Sequence, residues 1–113
     1  MSETIFTKII NKEIPADIIH EDETVVAFKD IDPQAPMHVL IVPKKPIPTV
    51  NDITEDDASI VAHMVLTGKK LAADLGLEKG YRLVMNCNEE GGQTVFHLHM
   101  HLLGGRPMKW PPG

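Results

Sequence analysis

The sequence predicts an α+β domain in which helices cover one face of an antiparallel β-sheet. Three observations carry this prediction: two segments with apolar residues at helical spacing, four β-prone segments bounded by turn residues, and short connections between them. The chain has 113 residues, the size of one domain, so we treat residues 1–113 as a single domain with one site per subunit.

The first predicted helix lies between Glu3 and Lys12. Apolar residues recur there at helical spacing, and Pro15 prevents the helix from continuing. These apolar residues are Ile5, Phe6, Ile9 and Ile10.

Two β-prone segments follow this helix. Thr24–Phe28 ends at the turn Asp30–Pro33, and His38–Val42 lies between Pro36 and Pro43. Because the connection between them is short, we predict that they pair as antiparallel neighbours.

The longest predicted helix begins after Thr54, which can cap it, and ends at Gly76, which suits a C-terminal cap. Gly68 is predicted to mark a close approach of another backbone, and His63 lies off the apolar row, so we assign it no chemistry. The row predicted to face the core consists of Ile60, Met64, Gly68, Leu71 and Leu75.

Two further strands are predicted at Tyr81–Asn86 and Phe96–Leu103, separated by the polar loop Asn88–Thr94. No apolar run approaches the ~20 residues of a membrane-spanning helix, and the N-terminus lacks the layout of a signal peptide. We therefore expect a cytoplasmic protein that does not bind membranes.

The net charge of −5 argues against a nucleic-acid partner, because backbone phosphates are bound by clustered Lys and Arg. A small anion can still bind in a locally positive pocket. Cys87 is the only cysteine, which excludes an internal disulfide and a multi-cysteine zinc site, and we do not assign it as a nucleophile.

Three of the six histidines alternate in the last predicted strand: His97, His99 and His101. Side chains alternate between the two faces of a strand, so these imidazoles share one face. The other face is predicted to pack against the helices, leaving the imidazoles accessible to solvent. That apolar face consists of Phe96, Leu98, Met100 and Leu102.

A metal site is one interpretation of this triplet, since neutral imidazole is a good zinc ligand. At a rise of about 3.3 Å per residue, however, His97 and His101 lie roughly 13 Å apart along the strand. All three imidazoles cannot then bind one ion at about 2 Å. A metal would need His38 or a carboxylate from elsewhere.

The loop before the triplet favours a phosphate ligand. Gly91 and Gly92 allow backbone N–H groups to turn toward an anion, and Thr94 adds a hydroxyl. Lys44 and Lys45 could add positive potential. A histidine among such donors suits nucleophilic attack on phosphorus with a phosphoryl-histidine intermediate.

The middle histidine, His99, has a neighbour on each side to bind oxygens and to protonate the leaving group. Its position nominates it as the nucleophile. The run from His97 to Leu103 resembles the His-x-His-x-His-x-x signature of the histidine-triad family. Other segments resemble its Hint branch, the histidine triad nucleotide-binding proteins, over nearly the whole chain: Ile5-Phe6, Lys12–Pro15, Asp30-Ile31, Pro33–Pro36, His38, Pro43–Lys45, Gly80–Arg82, Gly91–Gln93 and Trp110–Gly113.

The resemblance implies an α+β homodimer of about five strands per subunit, with the sheet continuing across the interface. It also implies hydrolysis of purine nucleoside phosphoramidates and aminoacyl-adenylates through a nucleotidyl-histidine, with no cofactor and no metal. The expected ligand is the AMP or GMP moiety of such a substrate.

Carried onto this sequence, the resemblance makes His99 the nucleophile and His101 and His38 supporting or phosphate-side histidines. His97 is expected to orient the nucleophile through its backbone. Thr94 stands where many relatives carry Ser, so the hydroxyl needed for proton donation is retained, but the extra methyl could restrict a bulky leaving group.

The resemblance also assigns the nucleotide contacts. Asp30 and Ile31 match a ribose-contacting pair, and Asn86 matches a residue on the ribose and leaving-group side. Trp110 resembles a tryptophan that reaches toward the partner's site, although it could equally be an interface residue. The expected base-pocket walls are Ile5, Phe6, Ile9 and Phe28, and the expected phosphate loop is Gly92, Gln93 and Thr94.

Two alternatives stay open at this point. The protein could be a nucleotide-binding regulatory or scaffold protein whose hydrolysis is incidental, or it could bind zinc through its histidines.

Overall fold

The computed structural model describes residues 3–113. Its two α-helices are α1 (Ile5–Ile10) and α2 (Ala58–Asp74), and its five strands are β1 (Ile18–Glu21), β2 (Val25–Lys29), β3 (Met37–Pro43), β4 (Tyr81–Val84) and β5 (Met100–Gly104). Short 3-10 turns occupy Val50–Asp52, Glu55–Asp57 and Glu89–Gly91. Neither helix in this part of the chain is long and apolar enough to cross a membrane.

The five strands form one antiparallel sheet in the order β1-β2-β3-β5-β4. This arrangement confirms the predicted α+β class and the predicted pairing of β2 with β3, in which Val26 lies opposite Val42. Strand β1 was not predicted. It has four residues, none of them fully buried, and a register irregularity between Ile18 and His20, so its sequence carries little strand signal.

Helices lie on both faces of the sheet, and the prediction that they share one face is wrong. Met64 of α2 packs with Ile41 and Leu102 on one side, whereas Phe6 of α1 packs with Leu40 on the other. The reason lies in the central strands. All residues from Val39 to Pro43 and from Val25 to Phe28 are buried, so the two faces of these strands both require cover.

Thr54 caps the 3-10 turn that precedes α2, and Asp57 is the N-cap of α2 itself, so the prediction that Thr54 caps this helix is wrong. The helix ends at Asp74, and Gly76, with a φ of +75°, takes the predicted C-terminal capping position. The N–H of Leu77 donates to the carbonyl of Ala72 at 2.8 Å, and that of Gly76 donates to Ala73 at 3.2 Å, which together form a Schellman cap. Of the predicted row, Met64, Gly68 and Leu71 are buried, whereas Ile60 and Leu75 are partly buried.

The close approach at Gly68 involves side chains and not a backbone. A Cβ atom placed at this glycine would lie 3.2 Å from Cδ1 of Ile41 and 3.2 Å from Cδ2 of Leu83. Gly68 therefore lets α2 lie directly on the side chains of the sheet.

The β1–β2 turn is tied to α2 through Asp22. One carboxylate oxygen accepts from Nε2 of His63, at 2.7 Å, and from Nε2 of His20, at 2.8 Å. The other accepts from the backbone N–H groups of Thr24 and Val25 at 2.8 and 2.9 Å. His63 is thus a structural contact of the hairpin.

Strand β5 begins at Met100, and the prediction that it starts at Phe96 is wrong. The β3–β5 ladder ends with Met100 opposite Ile41, and residues 95–99 run as irregular chain although β3 itself continues to Pro43 in its pairing with β2. Leu98, Met100 and Leu102 are buried as predicted, but Phe96 is 46% exposed and does not share their face. The segment that carries two of the three histidines is therefore positioned by contacts other than strand pairing.

Candidate active site

His97 and His99 are buried, at 2% and 8% exposure, which corrects the prediction that the imidazoles lie on an open face. The physical reason is α1, which covers this side of the sheet. The ring of Phe6 meets the ring of His99 edge-on, with centroids 4.9 Å apart and planes at 84°. The same aromatic side chain packs on Phe28 at 5.6 Å.

A hydrogen bond to the backbone fixes the tautomer of His99. Its Nδ1 atom lies 2.7 Å from the carbonyl oxygen of His97, and because a carbonyl only accepts, Nδ1 carries the proton. Nε2 of His99 is then left with a free lone pair. His97 is held in turn by a 2.7 Å bond from its Nε2 to the carbonyl of Pro43.

A second chain of hydrogen bonds fixes His101. The backbone N–H of Gln34 donates to Nδ1 of His38 at 3.0 Å, so the proton of the neutral His38 ring sits on Nε2. That Nε2 lies 2.9 Å from Nδ1 of His101. Nδ1 of His101 therefore accepts, and its Nε2 is a donor. The centroids of the His99 and His101 rings lie 5.0 Å apart, so the ring with the Nε2 lone pair and the ring with the Nε2 donor are neighbours.

Burial keeps these imidazoles neutral at pH 7. It lowers the pKa of His97, His99 and His38, and it lowers the pKa of His101 to about 4, where the neighbouring His99 and His38 add to the effect. The carboxylate of Asp30 acts in the opposite direction on His38, His99 and His101. A neutral ring is the form in which histidine can act as a nucleophile.

A cavity of about 260 Å³ opens beside His99 and His101. Its walls are mostly apolar, and Ile31, 96% exposed, and Ile5, 50% exposed, stand at its mouth. The predicted site residues that line it are Ile5, Phe6, Ile9, Phe28, Asp30, Ile31, Thr94, His99 and His101.

Several cavity residues were missed by sequence reasoning: Ile14, Pro15, Ala16, Leu40 and Val95. Leu40 is buried in β3 and shows no pattern that separates it from the core. Pro15 was recognised only as a helix stop. A larger hollow of about 710 Å³ lies between residues 76–80 and 105–108, and it contains none of the histidines.

The polar loop Asn88–Thr94, here the glycine loop, is built differently from the prediction. The N–H of Gly91 donates to Asn88 at 3.1 Å and that of Gly92 to Glu89 at 3.0 Å, so neither turns toward an anion. The backbone N–H of Gln93 also donates inside the turn, to Asn88 at 3.0 Å. Thr94 is exposed and lines the cavity, and within residues 3–113 its hydroxyl has no hydrogen-bond partner.

The remaining predicted residues do not line the cavity. Asn86 is half-buried and lies beside Gly92, with Nδ2 3.8 Å from the position of a Cβ on that glycine. Trp110 is 84% exposed. Lys44 and Lys45 pair with Glu21 at 3.0 Å and Asp57 at 2.6 Å, and neither lysine lines the cavity.

One group could hold a metal ion. Asp30, His38 and His101 offer ligand atoms that all lie within 4.8 Å of one another. This set combines His38 and a carboxylate with one histidine of the triplet. It agrees with the expectation that a metal would need His38 or a carboxylate, because the three triplet histidines cannot all bind one ion. Its ligand types fit a divalent ion such as zinc, and it does not include His99.

Comparison with known proteins agrees with this geometry. The model of the HIT domain family matches residues 11–108. A purine nucleoside phosphoramidase from Escherichia coli is 54% identical over 107 residues, covering 94% of this chain and 90% of that protein, and a HIT-like protein from Synechocystis is 56% identical over 111 residues, covering 98% and 97%.

Solved structures give the same result. A HIT family hydrolase from Legionella pneumophila superimposes with a TM-score of 0.96 at 54% identity, covering 98% of this chain and 100% of that one. A HIT family hydrolase from Clostridium thermocellum gives a TM-score of 0.93 at 52% identity, covering 96% of each chain. Together with the family-model match, these similarities show that the chain belongs to the HIT domain family, as its histidine triplet predicted.

Proposed function

We propose that this protein is a purine nucleoside phosphoramidase, a hydrolase of P–N bonds that works through a nucleotidyl-histidine. The observation that carries the proposal is His99: its Nδ1 is occupied by the carbonyl of His97, and its neutral ring lines the cavity. The Escherichia coli relative with that activity supports the same substrate class.

The cavity supports a nucleotide in one orientation. Its apolar walls, which include Phe6, Ile9 and Phe28, suit the faces of a purine base. Asp30 and Ile31 stand where a ribose would meet the protein. The α-phosphate then lies at the polar end, beside His99 and His101.

In the proposed first step, Nε2 of His99 attacks phosphorus, the new P–Nε2 bond forms, and the P–N bond to the leaving amine breaks. The bond from Nδ1–H to the carbonyl of His97 stabilises the positive charge that develops on the ring. The departing nitrogen takes up a proton from solvent and leaves as the neutral amine, while Nε2–H of His101 donates to a phosphoryl oxygen. The neutral His101 and His38 keep their own protons, and their hydrogen bond holds His101 in this tautomer.

In the second step, water attacks phosphorus and the P–Nε2 bond breaks. The attacking water gives up one proton to solvent, which replaces the proton that the amine took up, and the nucleoside monophosphate leaves. The balance is one phosphoramidate and one water giving one monophosphate and one amine. No step draws on a cofactor or a metal.

The proposal includes a homodimer whose sheet continues across the interface. Strand β4 is an edge strand, and its Tyr81 is 39% exposed. Val65 and Leu66 of α2 are 41% and 59% exposed, which is apolar surface that a partner would cover. In such a dimer, Trp110 is the proposed contact to the partner's site. A monomeric mass by light scattering at micromolar concentration would contradict this part.

The decisive experiment measures turnover of adenosine 5′-phosphoramidate. We expect His99→Ala to lose activity by a factor of about 10⁴ or more, the scale found when a nucleophile is removed. His63→Ala is the matched control, because this histidine contacts Asp22 away from the cavity. If His99→Ala keeps the turnover of the unmodified protein, the nucleophile assignment is wrong.

The three-residue group Asp30, His38 and His101 favours one second candidate, a zinc-binding protein. Metal analysis of protein purified without a polyhistidine tag tests it, and activity that a chelator leaves unchanged removes zinc from the mechanism. The scaffold alternative predicts instead that partner capture survives His99→Ala.

A further inference from the structure

The segment that carries the nucleophile needs support other than strand pairing. Residues 95–99, here the histidine segment, precede β5 and have no strand partner. Two hydrogen bonds instead tie them to residues 43–48, here the proline segment. These bonds run from Nε2–H of His97 to the carbonyl of Pro43, 2.7 Å, and from the N–H of Leu98 to the carbonyl of Ile47, 2.6 Å.

The proline segment is a stiff support. Its sequence is Pro-Lys-Lys-Pro-Ile-Pro, in which three prolines fix φ and lack N–H groups. Pro43 and Ile47 are buried. Its two lysines pair with Glu21 and Asp57, which attaches the segment to β1 and to the start of α2.

Gln93 adds a third bond between the two segments. Its side chain is buried at 4% exposure, and Nε2 donates to the carbonyl of Pro48 at 2.8 Å and to that of Val95 at 3.0 Å. Oε1 accepts from the N–H of Asn88 at 2.8 Å. Both Nε2 hydrogens are therefore used, and the backbone N–H donates to the carbonyl of Asn88.

We infer that Gln93 is a positioning residue and not a donor to the phosphate. Its amide joins the glycine loop, the proline segment and the first residue of the histidine segment at one point. This junction sets the place of the His97 carbonyl, and that carbonyl holds Nδ1 of His99. The inference rests on the proposed phosphoramidase activity.

Two substitutions separate positioning from phosphate binding. Gln93→Met keeps the length of the side chain and removes all three bonds. Gln93→Glu keeps an acceptor for Asn88 but removes both Nε2 hydrogens. For both we expect kcat to fall by about a hundredfold, the cost of misplacing a reacting group by roughly 1 Å.

Binding of AMP, measured by titration calorimetry, is the second readout. A lost hydrogen bond to a charged phosphate would weaken binding by about tenfold or more. Because Gln93 does not face the ligand, we expect the dissociation constant to change by less than that in both variants.

The pH dependence of Gln93→Glu is a readout that a purely structural role would not move. The introduced carboxyl faces the carbonyls of Pro48 and Val95, so its protonated form regains one donor. The measured quantity is the kcat of Gln93→Glu divided by the kcat of the unmodified protein. We expect this ratio to rise as the pH falls from about 7.5 to about 5.5. Gln93→Met, which carries no titratable group, should show no such rise.

The control for an added negative charge is Asn51→Asp, on an exposed residue of the Val50–Asp52 turn. We expect it to retain the kcat of the unmodified protein. Unchanged kcat in both Gln93 variants overturns the inference, and so does a tenfold loss of AMP affinity with kcat retained. If Gln93→Met does not fold, the pH series of Gln93→Glu tests the inference alone. A rise of its kcat ratio toward pH 5.5 supports positioning by Gln93, and a constant ratio overturns it.

The two proposals fail in distinguishable ways. An unmodified protein that does not hydrolyse the phosphoramidate overturns the proposed function. The junction is then tested by hydrogen exchange: positioning by Gln93 requires faster exchange of the Leu98 and Asn88 amides in Gln93→Met. Unchanged exchange of both amides would overturn the inference by itself.

Discussion

Nδ1 of His99 lies 2.7 Å from the carbonyl oxygen of His97, two residues earlier in the chain. This contact places the proton on Nδ1 and leaves Nε2 as the basic nitrogen of a buried, neutral ring. The backbone of one triad histidine thus determines the chemical form of the next. The consequences for pH dependence, stability and leaving-group chemistry can each be measured.

The acid limb of the activity profile is expected below pH 6.5. Burial lowers the pKa of His99 from its usual value of 6.5, so the nucleophile stays deprotonated through neutral pH. Asp30→Asn removes a charge that raises this pKa, and we expect it to move the limb to lower pH. Profiles of kcat/KM for the two proteins test this, and a shift to higher pH in the variant would contradict it.

Stability should fall in mild acid, and His101 should account for part of the fall. Its pKa is about 4 in the folded protein against 6.5 for an unperturbed histidine, so the unfolded chain binds the proton more readily. The contribution of the neutral His101 ring to the free energy of unfolding is complete above pH 6.5 and is lost as the pH falls toward 4. We expect His101→Gln to reduce the slope of urea midpoint against pH in this window, and an unchanged slope would be inconsistent with this assignment.

Gly104 should not tolerate a side chain. A Cβ atom there would lie 2.7 Å from Cδ1 and 3.0 Å from Cδ2 of Leu77, which is buried against the end of β5. We expect Gly104→Ala to lower the free energy of unfolding by about 1–3 kcal/mol through overpacking. Gly113→Ala is the matched control, since its Cβ would meet nothing within 4 Å. Urea denaturation measures both, and equal stability of the two variants would refute the prediction.

Thr94 should act through its hydroxyl. It lines the cavity, and within residues 3–113 the hydroxyl has no partner, so it is free to donate to the phosphoryl group or the leaving amine. We expect Thr94→Val, which keeps the shape, to lower kcat by about a hundredfold, the scale of one lost transition-state donor. Thr94→Ser should keep kcat on a small amine and improve it on a bulky one. Full activity of Thr94→Val would rule the role out.

Much of the fold follows from local patterns. The capped, amphipathic helix α2 and the apolar strands β2 and β3 were predicted because each carries its periodicity within a few residues. The triplet of His97, His99 and His101 similarly predicted the family, and the comparisons confirmed it. Strand β1 escaped prediction because its three half-buried residues and one exposed residue show little alternation.

The chain by itself therefore determined the α+β class, the long helix and the family, and its motifs indicated nine of the residues that line the cavity. Tertiary structure decided which of these elements and side chains contact one another. Helix α1 covers the histidine face because the central strands are apolar on both sides, and His38 meets His101 only because β3 pairs with β5. The N–H groups of Gly91 and Gly92 donate to carbonyls of their own turn, and Nε2 of Gln93 donates to the carbonyl of Pro48, 45 residues earlier in the chain. Every residue has a carbonyl, so no sequence pattern marks the one that will accept a bond, and only folding selects it.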